Sequence, residues 1–137
     1  AAFDAHSGAR RGTAGAERAA YASPQRVTLG GREQLFVFDA AGLGGYGPGV
    51  GRELWRFPWK TDMGMNSAQP VRVGDSRVFV SSERSNGGVM VEIGEKPQEV
   101  WRGRALSARF CSPVLHAGHL FGLSQGRLVC VDAATPT

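Results

Sequence analysis

One short motif recurs three times along the chain at a nearly constant spacing. Each copy opens on a proline, in the contexts Tyr-Ala-Ser-Pro-Gln, Ser-Ala-Gln-Pro-Val and Cys-Ser-Pro-Val. Pro24 and Pro70 are 46 residues apart, and Pro113 follows 43 residues later. The first two copies close on Trp55 and Trp101, again 46 residues apart, in Glu-Leu-Trp-Arg and Glu-Val-Trp-Arg. A fold built from one repeated unit is therefore the strongest constraint that the sequence imposes.

A third marker extends the repeat toward both ends of the sequence. Asp4-Ala-His-Ser-Gly8 is similar to Asp132-Ala-Ala-Thr-Pro136, and the two aspartates are 128 residues apart, or three periods of about 43. Periods of this length composed of short strands are typical of β-propeller blades, each a four-stranded antiparallel sheet. The chain of 137 residues has room for about three of them. The sequence therefore predicts an all-β fold of about three four-stranded blades from an incomplete propeller.

The repeat divides the chain into four segments. We expect the remnant of a preceding blade, partly disordered, then two full repeats, and then a third repeat that is truncated before its fourth strand. The expected boundaries are 1–19 for the remnant, 20–62 for the first repeat, 63–108 for the second and 109–137 for the third.

Runs of β-branched and aromatic residues between turn residues predict the strands. The second repeat has the clearest pattern, because four such runs follow one another with glycine-containing turns between them. Helical propensity is confined to residues 14–21, a segment too short for a stable helix. The expected strands are 25–29, 35–38, 52–57, 71–73, 77–81, 89–93, 98–102, 114–115, 120–123 and 127–132.

Six glycines lie between Gly42 and Gly51, which raises the question of a phosphate-binding loop. Such loops place their glycines after a strand and at the start of a helix, or carry a Gly-Lys-Ser/Thr sequence. Here the glycines precede a predicted strand, with no helical period and no such lysine. We therefore predict a loosened turn between two strands over residues 42–51.

The charge pattern argues against a nucleic-acid partner. Lysine and arginine number 16 against 12 acidic residues, a formal net charge of +4, but most are single arginines after strands or in turns. A protein that binds single-stranded nucleic acid needs a basic stripe with interleaved aromatic residues, which the sequence lacks. No apolar stretch reaches the length of a membrane span, and residues 1–20 lack the apolar segment of a signal peptide.

Cysteine and histidine offer little thiol or metal chemistry. Cys111 and Cys130 permit at most one disulfide, and we expect both to be free, buried thiols, because cysteine is a common small core residue. His116 and His119 could share the edge of a hairpin, but a metal site needs three or four ligands. We therefore expect exposed turn histidines and no metal site.

The recurring residues are expected to hold neighbouring sheets together. Trp55 and Trp101 each bring about 200 Å² of surface that a stack of sheets can bury. The run Leu128-Val-Cys-Val131 is apolar on both strand faces, as expected of a sheet that is covered on both sides. The expected structural residues of the repeat are Pro24, Trp55, Pro70, Trp101, Pro113 and Gly118.

The markers together have a specific likeness. The order Asp-x-x-Thr/Ser-Gly, three residues, Trp, then Ser-Pro-Val and an aromatic strand resembles the PQQ-like (quinoprotein-type) repeat. The Glu-Leu-Trp-Arg-Phe-Pro-Trp-Lys-Thr run and the Ser-Pro-Val-Leu-x-x-Gly-His-Leu-x-Gly-Leu segment are most similar to bacterial PQQ-binding-like β-propeller repeat proteins. The likeness covers residues 20–135 and implies a propeller of eight blades.

The resemblance implies one of two functional classes. One is the quinoprotein alcohol dehydrogenases, which use PQQ with Ca²⁺; the other is the non-enzymatic propeller lipoprotein of the bacterial outer-membrane β-barrel assembly machinery. The chain has no Cys-Cys pair, and Asp39, Asp62, Asp75 and Glu83 are expected to lie apart, whereas Ca²⁺ requires clustered oxygens. We therefore expect a non-enzymatic scaffold for protein or ligand binding with no cofactor. PQQ with calcium is expected only under the alternative, a fragment of a PQQ-dependent quinoprotein dehydrogenase.

The resemblance also implies a site, partners and a compartment. Connectors between blades face one end of the propeller in this repeat, and exposed loops often carry binding residues. The candidate ligand-binding residues are Trp59, Lys60, Asn66 and Arg109. We expect a protein partner or a small ligand at the propeller end, contact with the remaining blades of the same protein, and a periplasmic or cell-envelope location.

Overall fold

The computed structural model describes residues 1–49, 51–82 and 86–135. These residues form 13 strands in four antiparallel sheets of two, four, four and three strands, and no helix occurs among them. Strands that are consecutive in sequence are neighbours in every sheet, so each sheet is an up-and-down meander. The predicted all-β fold is confirmed.

The four sheets follow one another along the chain. The N-terminal pair consists of β1 (Ala2–Phe3) and β2 (Arg10–Gly12). The first sheet consists of β3 (Gln25–Leu29), β4 (Arg32–Asp39), β5 (Gly42–Tyr46) and β6 (Glu53–Pro58). The second sheet consists of β7 (Val71–Val73), β8 (Arg77–Ser82), β9 (Gly87–Ile93) and β10 (Pro97–Gly103). The third sheet consists of β11 (Val114–His116), β12 (His119–Ser124) and β13 (Arg127–Asp132).

The three larger sheets repeat one strand register. The opening strand of each sheet begins directly after Pro24, Pro70 or Pro113. The first residue of that strand always lies opposite a phenylalanine of the second strand. These phenylalanines are, in chain order, Phe36, Phe79 and Phe121. The periodicity of the sequence is therefore also a periodicity of strand pairing.

The third and fourth strands continue this register. The residues of the third strand that lie opposite the phenylalanines are Gly45, Met90 and Cys130. Trp55 and Trp101 lie opposite the first two of these on the fourth strand. In both four-stranded sheets the register shifts next to the tryptophan, so the repeat includes the same strand irregularity.

The N-terminal pair has the register of the outer half of a four-stranded sheet. Ala2 lies opposite Gly12 as Gly45 lies opposite Trp55, and the register shifts at the same point in both. The strands β1 and β2 therefore correspond to the third and fourth strands of the first sheet, with glycine in the position of the tryptophan.

The turns beside these strands support the same correspondence. The backbone N–H of Asp4 donates to the carbonyl oxygen five residues later, and the N–H of Gly47 does the same, at 2.8 Å in each case. The Oδ1 atom of Asp4 accepts the backbone N–H groups two and three residues ahead, and Oδ1 of Asp132 does so as well. The Asp marker of the sequence is thus an aspartate-capped turn that follows the third strand.

The second sheet is buried on both of its faces. Along β8, the side chains of Val78 and Val80 pack toward the first sheet, and Phe79 packs toward the third. The core between the first and second sheets contains Leu29, Phe36, Phe38, Leu43, Phe57, Trp59, Val78, Val80, Val89 and Val91. The core between the second and third sheets contains Ala68, Phe79, Met90, Leu106, Ala108, Leu120, Val131 and Ala133. The sheets are therefore stacked face to face in sequence order.

One face of the third sheet remains exposed to solvent. We call it the outer face; alternation along the strands places on it Val114, Phe121, Leu123, Leu128 and Cys130. The prediction of a strand buried on both faces over 128–131 is wrong here, because Val131 packs on the second sheet while Leu128 is exposed. The cysteines Cys111 and Cys130 are both free, as predicted, but their predicted burial is wrong because both are exposed.

The glycine-rich segment differs from its prediction. Residues Gly42–Tyr46 form the buried strand β5, where a loosened turn was expected. The glycines are needed because large side chains of the same sheet occupy the adjacent space: a Cβ atom on Gly45 would overlap the indole ring of Trp55. At Gly42 a Cβ atom would overlap the carbonyl oxygen of Phe57, and the backbone has a φ of 147°, which favours glycine.

Replacement of Gly42 tests this packing. We expect Gly42→Ala to lower the free energy of unfolding by about 2 to 3 kcal/mol, because the obstructing atoms belong to the backbone of the neighbouring strand and cannot rotate away. Gly94→Ala is the matched control, since a Cβ atom there meets open space and its φ is not positive. Urea unfolding measures both; equal stability of the two variants would contradict the close packing of β5.

Candidate functional site

The linker between the first and second sheets contains three of the four predicted site residues. The Trp59 side chain is only 2 % exposed, and its Nε1 donates to Ser82 Oγ at 2.9 Å. The guanidinium carbon of Arg102 lies 4.8 Å from the centre of the indole ring, within the range of a cation–π contact. Trp59 therefore attaches the linker to the second sheet, with its ring inside the core.

Asn66 is buried in the same linker and forms hydrogen bonds within the linker and with neighbouring segments. Its Nδ2 donates to the carbonyl oxygens of Asp39 at 2.7 Å and Trp59 at 3.3 Å. Its own carbonyl oxygen accepts the backbone N–H groups of Tyr21 and Ala22 at 3.1 and 3.0 Å. The Oδ1 atom has no hydrogen-bond partner among the described residues. Asn66 thus ties the chain before the first sheet to the chain after it.

The other two predicted residues lie on more accessible parts of the linkers. Lys60 is exposed, and its carbonyl oxygen accepts from Asn86 Nδ2 at 2.6 Å. Arg109 belongs to the linker between the second and third sheets, where its guanidinium lies 4.7 Å from the centre of the Phe110 ring. The structure thus places Trp59, Lys60 and Asn66 in one linker. Arg109 lies in the next linker, where it contacts Phe110.

A polar network on the first sheet was not identified from the sequence. Arg56 Nη1 donates to both carboxylate oxygens of Asp39 at 3.0 Å, and Nη2 donates to Tyr46 Oη at 2.6 Å and Glu53 Oε2 at 2.9 Å. The hydroxyl of Tyr46 in turn donates to Glu53 Oε2 at 3.0 Å. One guanidinium therefore joins two carboxylates and a phenol on β4, β5 and β6.

The network changes the proton affinity of its members. Hydrogen bonding to Arg56 holds the pKa of the Glu53 carboxyl below its ordinary value, although partial burial opposes this effect. Burial raises the pKa of the Tyr46 hydroxyl, and the hydrogen bond to Glu53 raises it further. The network is therefore most stable with Glu53 ionised and Tyr46 neutral.

A cavity of about 300 Å³ lies beside this network, between the first sheet and residues 12–19. Its walls on the first sheet are formed by Leu35, Val37 and Tyr46, and the N-terminal pair contributes Ala2 and Gly12. The wall is mainly apolar, and the Tyr46 hydroxyl at its edge is already bonded to Glu53 and Arg56. The cavity can therefore accept an apolar side chain better than a charged ligand.

Two of the four acidic residues that were expected to lie apart from one another form ion pairs with arginine. Asp39 is paired with Arg56 inside the network, and Asp75 Oδ1 accepts from Arg72 Nη2 at 2.9 Å. Glu83 lies outside the described residues. A sequence signal for the network did exist, since the Glu-x-x-Arg spacing of Glu53 and Arg56 recurs 46 residues later.

The histidines occupy a two-residue hairpin, as predicted. His116 and His119 lie opposite each other on β11 and β12, and both are exposed. Gly118, in the turn between them, has a φ of 78°, which suits glycine. Within residues 1–49, 51–82 and 86–135, no group of three or more His, Cys, Asp or Glu side chains could hold a metal ion.

Comparisons with known proteins found no counterpart for this chain. No family model, no curated protein and no solved structure matches it. Among the residues that the structure describes, no helix is long and apolar enough to cross a membrane.

The buried ion pair of the network predicts that its arginine matters more for stability than the arginine of an exposed ion pair. We expect Arg56→Gln to lower the free energy of unfolding by about 3 kcal/mol, because it leaves the buried Asp39 carboxylate without its counter-ion. Arg72→Gln is the matched control, since Arg72 pairs with the exposed Asp75 and its replacement should cost less than about 1 kcal/mol. Chemical denaturation measures both, and similar losses would contradict a special role for the Asp39 pair.

The raised pKa of Tyr46 predicts a loss of stability in alkali. The ordinary value is 10.0, so above pH 10 the unfolded chain ionises this phenol before the folded chain does, and the stabilising contribution declines as pH rises through the folded pKa. In Tyr46→Phe this extra decline should be absent. Unfolding free energies of the two proteins, compared on both sides of pH 10, test the effect. Parallel curves would mean that Tyr46 is not perturbed.

Proposed function

We propose that the chain is a non-enzymatic binding scaffold made of propeller-type blades and that it acts in the bacterial cell envelope. The observation that carries the binding role is the outer face of the third sheet, an exposed apolar surface on paired strands. Contiguous exposed apolar surface on a folded protein marks a place where another protein binds. A protein partner is therefore favoured over a small polar ligand.

The surroundings of the outer face support this reading. At one end of the face, His116, His119 and Asp132 lie opposite one another on the three strands and form a polar row. An apolar centre with a polar rim is the usual composition of a protein–protein interface. The two histidines can therefore contribute to protein binding as part of this polar row, without a metal ion.

The repeated register supports the blade assignment. Three sheets place proline, phenylalanine and the third-strand residue in the same relation, and the second sheet is covered on both faces by its neighbours. Sheets that bury their faces only against copies of themselves are characteristic of repeat architectures. The envelope location and the likeness to outer-membrane assembly propellers come from the sequence resemblance.

The polar groups favour a scaffold over the dehydrogenase alternative. Asp39, Glu53, Arg56 and Tyr46 are bonded to one another within the first sheet, so their hydrogen-bonding capacity serves the sheet. A catalytic base must instead reach the proton that it abstracts from a substrate. We therefore assign this network to stability.

Titration with PQQ separates the two functions. We expect no saturable change in the PQQ absorption spectrum when the chain is added in the presence of Ca²⁺, because the scaffold needs neither group. The matched control repeats the titration with Ca²⁺ removed by a chelator. Saturable binding that depends on Ca²⁺ and shifts the spectrum would overturn the scaffold proposal and establish the quinoprotein alternative.

A further inference from the structure

The outer face has a buried counterpart on the first sheet. Because Phe36 and Phe121 hold the same register position, the facing pair Leu123–Leu128 corresponds to the pair Phe38–Leu43. Phe38 and Leu43 are 2 % and 0 % exposed, because the second sheet covers them. Leu123 and Leu128 are 45 % and 73 % exposed. The same position is therefore covered in one sheet and open in the other.

The covering surface also has a counterpart within the chain. Val78 and Val80, on either side of Phe79, pack in the core with Phe38 and Leu43. The residues on either side of Phe36 are Leu35 and Val37, which are only half-buried and line the cavity. The first sheet therefore presents the surface that covers a preceding sheet, and nothing in the described residues fills the space above it completely.

The shape of the cavity follows from the N-terminal pair. This pair supplies the equivalents of a third and a fourth strand, so the inner half of a sheet is missing above Leu35 and Val37 within the described residues. The space of about 300 Å³ is large enough for bulky apolar side chains such as those of the outer face. The cavity and the outer face are thus complementary in position and in chemistry.

The strand edges are complementary as well. No described residue pairs with the outer edge of β13, which carries six residues of unpaired backbone. The fourth-strand equivalent β2 pairs with the two-residue strand β1 and is joined to the turn between them by the exposed ion pair of Arg11 with Asp4; both strands are largely exposed. The pairing of β2 with β1 opens at little cost in free energy because it is so short. The longer edge of β13 offers β2 more backbone hydrogen bonds.

From these features we infer that two copies of this chain associate head to tail. The outer face of one copy packs on Leu35 and Val37 of the other, and β2 of the second copy pairs with β13 of the first as its fourth strand. The contact repeats the packing that already joins consecutive sheets within the chain. The contact is heterologous, because it joins two different surfaces. In a dimer each copy therefore retains one unoccupied surface, and longer assemblies form at higher concentration.

The inference names a partner for the outer face and so rests on the binding role proposed above. A monomeric wild-type chain would remove this partner while leaving the scaffold role, whereas Ca²⁺-dependent PQQ binding would remove the role itself. The two failures are therefore distinguishable.

Sedimentation velocity of the purified chain, over a hundredfold range of concentration, measures the association. A reducing agent keeps the exposed thiols of Cys111 and Cys130 from linking copies covalently. We expect the mass to rise from the monomer value of 14.6 kDa through the dimer as concentration increases. A mass that stays at the monomer value throughout would overturn the inference.

Two variants and their mixture test the head-to-tail geometry. Leu128→Glu charges the outer face, and Val37→Glu charges the cavity wall, so each should weaken self-association by about tenfold or more. An equal mixture should form a one-to-one dimer, because each variant contributes one intact surface. Met63→Glu is the control for added charge, since Met63 is exposed in the linker between the first and second sheets and should associate like the wild type.

Other outcomes have a definite meaning. If Val37→Glu folds and associates as strongly as the wild type, the contact is between two outer faces and the inference is wrong. A mixture that remains monomeric also overturns it. Circular dichroism checks folding; if Val37→Glu does not fold, Thr13→Trp fills the cavity mouth from an exposed position and replaces it in the mixture.

Discussion

Contact between neighbouring sheets is the interaction on which the rest of this structure depends. The strands of the second sheet are apolar on both faces. Because a sheet lies on either side, almost no solvent-accessible surface remains on Val78, Phe79 and Val80. Each of these side chains contributes about 1.5 to 3 kcal/mol through burial. Removal of either neighbour would expose one set of them, so the second sheet cannot keep its stability alone. The linker residues Trp59 and Asn66 act within this constraint, because they fix where one sheet meets the next.

Much of the strand pattern could be predicted from sequence because its causes are local. The hairpin at Ala117–Gly118 and the strands of the second repeat follow from turn residues and from β-branched runs a few positions apart. Strand β5 could not be predicted in this way. Its glycines look like a turn when read along the chain, but Gly45 is required by Trp55, which lies opposite it on another strand, and Gly42 is required by the backbone of Phe57. The only sequence signal for a strand here was the 45-residue spacing between Gly42 and Gly87, which both begin the third strand of a sheet.

The candidate site was less predictable, since its contacts join residues that are distant in sequence. Asp39 and Arg56 are 17 residues apart and meet only because β4, β5 and β6 are adjacent. The exposure of Cys130 depends on whether another layer covers the third sheet, and its own strand has no signal for that. The linkers were predicted to carry ligand-binding residues, but the aromatic and amide residues in the first of them are engaged with the protein itself.

The residue opposite the tryptophan shows how far the repeats have diverged. Gly45 leaves room for the Trp55 indole, which meets Phe36 edge-on at 80°, whereas Met90 stands opposite Trp101, which is tilted by 40° toward Phe79. Each sheet has adjusted its aromatic pair to the volume of one side chain. A recombination event that exchanged the third strands between repeats would preserve register and hydrogen bonds but would place a methionine where an indole already lies. The repeats therefore share strand order and register, but their third strands cannot be exchanged without steric overlap.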